Sequence, residues 1–128
     1  MVGANIAVEA ESAGQKAVEA DENLSQAEMV AVGAQSDTLM EVAAGTSDVA
    51  VIDAVMAYAS VGEGTSYSDL VVVDGIELGK EEYGIGFRKG SNLVEAVNTA
   101  LQELTDEGVL DELQQKYPSV LVTLEKSA

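Results

Sequence analysis

Two positions in this 128-residue chain set a polar side chain where an apolar run gives way to a helical one. Ser12 follows Ile6-Ala7-Val8-Glu9-Ala10, and Asp53 follows Val49-Ala50-Val51-Ile52. The first turn of a helix has free backbone N–H groups and the positive end of the helix dipole, which suits a carboxylate or a phosphate. A hydroxyl at Ser12 adds a donor there. Ser12 serves equally well as a plain N-cap, with Gln15 three residues later as a capping box prefers. A carboxylate at the end of an apolar strand is costly unless paired. Asp53 is therefore read in two ways, as the cap of a helix from Ala54 or as the partner of a ligand ammonium. A helix-end anion site beside an acid fits a zwitterion, the main chain of an amino acid. Glu11, next to Ser12, repels an anion unless it points away.

The elements needed to hold these residues are legible along the chain. Ile6–Ala10 and Glu28–Val32 read as strands, and Val49–Ile52, apolar throughout, as a strand buried on both faces. Leu70-Val71-Val72-Val73 and Tyr83-Gly84-Ile85-Gly86-Phe87 read as a fourth and a fifth. Helices are expected from Gly14 to Ala20, from a cap at Ser36 or Asp37 to Gly45, and from Ala54 to Ala59. Gly62 to Ser68 is a polar loop. A helix capped by Ser91 carries Leu93, Val94, Val97, Leu101 and Leu104 at helical spacing and stops at Gly108. Another runs from Leu110 to Lys116, and residues 119–124 form a short strand or a loose tail. Strands alternating with helices imply an α/β fold, a mostly parallel five-stranded sheet flanked by helices. In such sheets ligands sit beyond the C-terminal strand ends, where Ser12 and Asp53 lie. Gly84-Ile85-Gly86 lacks the spacing and position of a dinucleotide fingerprint.

Composition narrows the chemistry. With no Cys and no His, disulfides, structural zinc and His-based triads are excluded. No cofactor or metal is implied. The formal net charge is −17, from 23 acids and 6 bases, so no basic face forms and nucleic acid is a poor partner. Met1-Val2-Gly3-Ala4 has neither the basic start nor the apolar stretch of a signal peptide. The chain is then either cytoplasmic or begins after a targeting segment. At 47% hydrophobic residues it has enough apolar material for a core.

Four segments, in order, carry a family resemblance. Ile6 to Ala13 is similar to V-Q-x-G-[ST]-[ST], and Glu41 to Asp53 to L-x-x-G-x-x-D-A-V-x-x-D. Glu82 to Gly90, E-Y-G-I-G-F-R-K-G, is similar to E-x-Y-G-I-A-x-x-K-G. Val94 to Tyr117, with V-N-T-A-L and G-V-L, is similar to V-N-x-A-L-x-x-L-x-x-x-G-x-[LY]-x-x-I-x-x-K-[WY]. The chain thus resembles the second lobe and C-terminal helices of the family 3 extracellular solute-binding proteins, the type II periplasmic binding proteins of polar amino-acid ABC importers.

The resemblance implies an extracytoplasmic receptor, not an enzyme, that hands a polar amino acid to a permease. Residues 1–90 would be the ligand-binding lobe, and 91–128 the helices that in the family pack on a first lobe, absent from this chain together with its signal. It implies that the turn at Ser12 and Ala13 holds the ligand α-carboxylate, that Asp53 takes the α-ammonium, and that Glu9 and Ile52 set side-chain selectivity. Glu11 stands where the family has Gly, and Glu9 where Gln or Lys is common. The same fold also serves as a sensor domain, and in a few dehydratases, where Glu11 would be the acid or base. Without the first lobe, the stripe Leu93, Val94, Val97, Leu101, Leu104 has three outcomes open to it: folding back on this lobe, pairing with another copy, or hanging loosely; a two-fold homodimer is the expected one.

Overall fold

In the computed structural model, which describes residues 2–118, 120 and 122–127, the chain divides into two units, Met1–Lys80 and Glu81–Ala128. The first is mixed α/β. β1 (Asn5–Glu9), α1 (Ala13–Ala20), a 3-10 turn (Leu24–Gln26), β2 (Glu28–Val32), α2 (Gln35–Ala43), β3 (Val49–Val51) and α3 (Ala54–Ser60) follow one another. The three strands form a parallel sheet in the order β2-β1-β3, with Val8 opposite both Ala31 and Val51.

The core follows from that order. β1 is central, and Ile6, Ala7 and Val8 are fully buried. Val18 of α1 closes over Ile6 and Val8, with Leu24, Ala27, Met29, Val49 and Val51 packed around them. Each large aliphatic side chain so enclosed is worth about 1.5–3 kcal/mol. Both links between strands are parallel crossovers, and their usual right-handed sense sets α1 and α2 on opposite faces of the sheet.

The expected five strands are not all formed. Neither Leu70–Val73 nor Tyr83–Phe87 is a strand, and Val71, Val73, Tyr83 and Ile85 are exposed. Their β-prone side chains have no ladder to join, and β-propensity without a paired neighbour is weak. As a result Val49–Val51, expected to be covered on both faces, is half-buried at an edge of the three-stranded sheet. The wholly buried strand is β1. Of residues 119–124, Ser119 and Leu121 lie outside the described residues, and the others form no strand.

The start of α2 also differs. It begins at Gln35, behind Ala34, with no side-chain cap. Ser36 and Asp37 fall inside its first turn, where the Asp37 carboxylate complements the helix dipole instead of capping.

The second unit is a pair of helices, α4 (Leu93–Asp106) and α5 (Val109–Lys116). Ser91 Oγ accepts the N–H of Leu93 at 3.2 Å. Gly108 separates the helices at φ +83°, a left-handed conformation that glycine adopts without a Cβ clash. Leu93, Val94 and Leu104 are exposed, while Val97 and Leu101 are half-buried. The C-terminal segment returns to this pair. Gln102 Nε2 donates to the Glu125 carbonyl at 3.0 Å, and Lys126 pairs with Asp111 at 2.8 Å.

Candidate functional site

The C-terminal ends of β1 and β3 are neighbours. Val8 and Val51 are register partners, and adjacent strands run about 4.8 Å apart. The residues that follow, Glu9 on one strand and Ile52 on the other, therefore leave the sheet side by side. Both are half-buried.

β1 ends in a tight turn. Ser12 N–H donates to the Glu9 carbonyl at 3.3 Å, and Ala10 N–H to Val32 of β2 at 2.9 Å. Glu11 makes the turn at φ +60°, the one non-glycine residue in the left-handed region among the described residues. Ser12 then caps α1, its Oγ accepting the N–H of Gln15 at 3.1 Å. Ala13, exposed, opens the helix. Glu11 is exposed at the rim of the turn.

The start of α1 lies against the end of β3. A Cβ at Gly14 would stand 2.9 Å from the Val51 carbonyl oxygen and 3.4 Å from Ser12 Oγ. Only a residue without a side chain allows that approach. The two turns read from the sequence are thus drawn together through Gly14, which the sequence reading had not singled out.

Asp53 is half-buried and caps α3, with Oδ1 accepting the N–H of Met56 at 2.9 Å. Its own N–H donates to Gln35 Oε1 at 3.1 Å, eighteen residues away in the chain. Gln35, too, is new to the site. It lies at the start of α2, beyond β2, so its side chain ties the end of β2 to the end of β3. No local pattern announces such a residue, because the contact exists only once both strands flank β1.

The sheet therefore brings together Glu9, Glu11, Ser12 and Ala13 on one turn and Ile52 and Asp53 on the next. Both candidate polar residues act as helix caps, as one of the two readings of each had it. A separate depression of about 320 Å3 is lined by Val42, Ala43 and residues 66–70 and contains none of them. Among the described residues, no group of three or more potential metal ligands is gathered, and no helix is long and apolar enough to cross a membrane.

The chain matches no protein-family model, and comparison with curated proteins and with solved structures gives no significant match.

Proposed function

We propose that this chain is the ligand-binding lobe of an extracytoplasmic solute-binding protein that captures a polar amino acid for an ABC importer. The carrying observation is the strand order. In β2-β1-β3 the chain reverses direction across the sheet between β1 and β3, and at such a switch point the departing helices leave a crevice in which α/β proteins bind ligands. The residues that follow those two strand ends are Ser12 and Asp53.

The chemistry suits a zwitterion. The first turn of α1 supplies backbone N–H donors and the positive end of a dipole for the α-carboxylate. The Asp53 carboxylate takes the α-ammonium, with Glu9 and Ile52 beside the ligand side chain. The left-handed backbone at Glu11 also favours the reading, since the family pattern has Gly at this position and glycine adopts that conformation without strain. Glu11 is exposed, whereas general acid or base work calls for a carboxylate in an enclosed cleft. That exposure supports reading the protein as a binding module rather than a carboxylate-dependent dehydratase.

In the complete receptor Leu70–Val73 and Tyr83–Phe87 extend the sheet to five strands, and the apolar stripe of α4 meets the first lobe. In this chain alone the stripe pairs with a second copy.

Titration of the chain with free amino acids tests the site. Millimolar affinity, about −4 kcal/mol, is expected, because half of the enclosing wall is missing. Ligand-induced shifts should centre on the amides of Ser12 and Asp53. Shifts confined to the depression at Val42 and Tyr67 would refute the assignment.

A further inference from the structure

We propose that Asn23 is an acceptor for N-linked glycosylation, its side-chain amide taking an oligosaccharide from a polyprenyl-phosphate carrier. This rests on the extracytoplasmic reading of the chain, because N-linked sugars belong to the surface loops of secreted proteins. It adds to that reading a modification remote from the ligand site.

Asn23-Leu24-Ser25 is the tripeptide N-x-S, with no proline in the middle, that marks such an acceptor. Of Asn5, Asn23, Asn92 and Asn98, only Asn23 has Ser or Thr two residues on. The fold presents this tripeptide outward. It lies in the connection between α1 and β2, at the start of the 3-10 turn Leu24–Gln26. Leu24 packs against the core of Ile6, Val8 and Val18, while Asn23 and Ser25 on either side of it are exposed. The apolar residue anchors the turn, and the two residues that a transferase must reach face water. Asp21 shapes the turn. Its Oδ1 accepts the N–H groups of Asn23 and Leu24, each at 2.9 Å, and its carbonyl accepts the N–H of Ser25 at 2.9 Å. The acceptor is thus held in a surface loop of defined shape, where a bulky, hydrated sugar fits without displacing packed side chains.

The position also suits a binding protein. β1 and β2 are parallel, with Asn5 opposite Glu28, so the turn before Glu28 stands at the N-terminal edge of the sheet. The proposed ligand site stands at the other edge, about 13 Å away along β1, from Asn5 to Glu9 at about 3.3 Å per residue. A glycan on Asn23 therefore leaves that site open. In the transfer, the amide nitrogen of Asn23 bonds to the anomeric carbon of the first sugar and gives up one of its two protons. The bond from that carbon to the carrier's phosphate oxygen breaks, and the phosphate leaves with the electron pair. No oxidant or reductant is needed.

The test offers the folded 128-residue chain to an oligosaccharyltransferase together with a polyprenyl-diphosphate-linked oligosaccharide of known mass, and reads the product by mass spectrometry. A single glycan is expected, on the peptide that contains Asn23. Asn23→Gln and Ser25→Ala should take none and should keep the wild-type urea midpoint, since both side chains are exposed. An unmodified folded chain overturns the proposal, as does a glycan that persists in Asn23→Gln. Acceptance by the unfolded chain alone overturns it too, because the fold would then hide the turn. A second arm uses the protein recovered from the cells that make it, where Asn23 should carry a glycan and glycine binding should be the same with and without it. Protein found outside the cytoplasm with a bare Asn23 overturns the proposal. Protein found only inside the cytoplasm refutes the extracytoplasmic reading, and the proposal falls with it.

Discussion

The backbone N–H of Glu11 donates to the side chain of Gln15 at 2.8 Å, while the N–H of Gln15 donates to Ser12 Oγ at 3.1 Å. The pair works as a capping box displaced by one residue. The glutamine reaches back past the cap to the residue before it. This contact holds Glu11 in its left-handed conformation.

Glu11→Gly should therefore stabilise the protein. A left-handed L-residue costs about 1–2 kcal/mol. Glycine removes that cost but adds about 0.5–1 kcal/mol of unfolded-state entropy. The net expectation is a gain of about 0.5–1 kcal/mol, read as a raised urea midpoint with an unchanged slope. Glu11→Val should be destabilising, because a β-branched residue tolerates positive φ least. An unchanged midpoint in both variants would show that the turn is not strained.

The two caps separate stability from binding. Ser12→Ala and Asp53→Ala should each cost about 1 kcal/mol, the usual worth of an N-cap. Asp53→Asn should keep its cap, since Asn caps as well as Asp, and change stability by only a few tenths of a kcal/mol. In the proposed site it removes the charge that would pair with the ligand ammonium, so glycine binding should be lost. Asn at position 53 with glycine binding intact would mean that Asp53 is a cap and nothing more.

Ser47, between α2 and β3, is 4% exposed and its Oγ has no hydrogen-bond partner among the described residues. Desolvating a hydroxyl without a replacement bond is unfavourable. Ser47→Ala should be neutral or stabilising by up to about 1 kcal/mol, by chemical denaturation. A clear loss of stability would reveal a partner that this arrangement does not contain.

Asp106 binds the returning C-terminal segment. Its Oδ1 accepts the N–H of Ser127 at 2.6 Å and Gln102 Nε2 at 3.1 Å, and these bonds hold its carboxyl below the usual carboxylate range. Asp21 is held low in the same way by the N–H groups of Leu24 and Asn23. A depressed folded-state pKa stabilises the fold above the unfolded value, and that contribution is lost as pH falls through the lower folded value. The Ser127 amide resonance should thus stay constant from neutral pH down to the ordinary carboxylate range and shift only below it. A midpoint at or above the pKa of a free aspartate would contradict the contact.

The apolar side of α4 should make the isolated chain self-associate. Leu93, Val94 and Leu104 are exposed on one helix, and burying each is worth about 1.5–3 kcal/mol. The charge of −17 opposes association, and salt screens that repulsion while leaving the apolar gain in place. Sedimentation should show more dimer at high salt than at low, and Leu93→Asp should abolish it. A monomer at both ionic strengths would count against the dimer.

Much of the local structure was legible because it is set by neighbours in the chain. β1, β2, β3 and every helix lie within a few residues of their expected places. Ser12 and Asp53 could be recognised as caps because a cap bonds only two or three residues ahead. Misplacing the start of α2 reflects the same locality: Ser36 and Asp37 are good caps by type, but the chain leaves β2 already turning at Gly33 and Ala34.

The tertiary structure decided what depends on residues far apart in sequence. Leu70–Val73 and Tyr83–Phe87 have strand composition, yet a strand exists only where a partner completes its ladder, and a run of apolar residues carries no information about whether that partner is present. Val49–Val51, for the same reason, is an edge and β1 the centre. Gln35 was invisible beforehand because its bond to Asp53 joins the ends of β2 and β3 across β1, a proximity created by the strand order. Sequence alone determined the turns and the chemical types they present. Which turns stand together was determined by the order of strands in the sheet, because parallel crossovers bring distant segments side by side without leaving any short-range pattern in either.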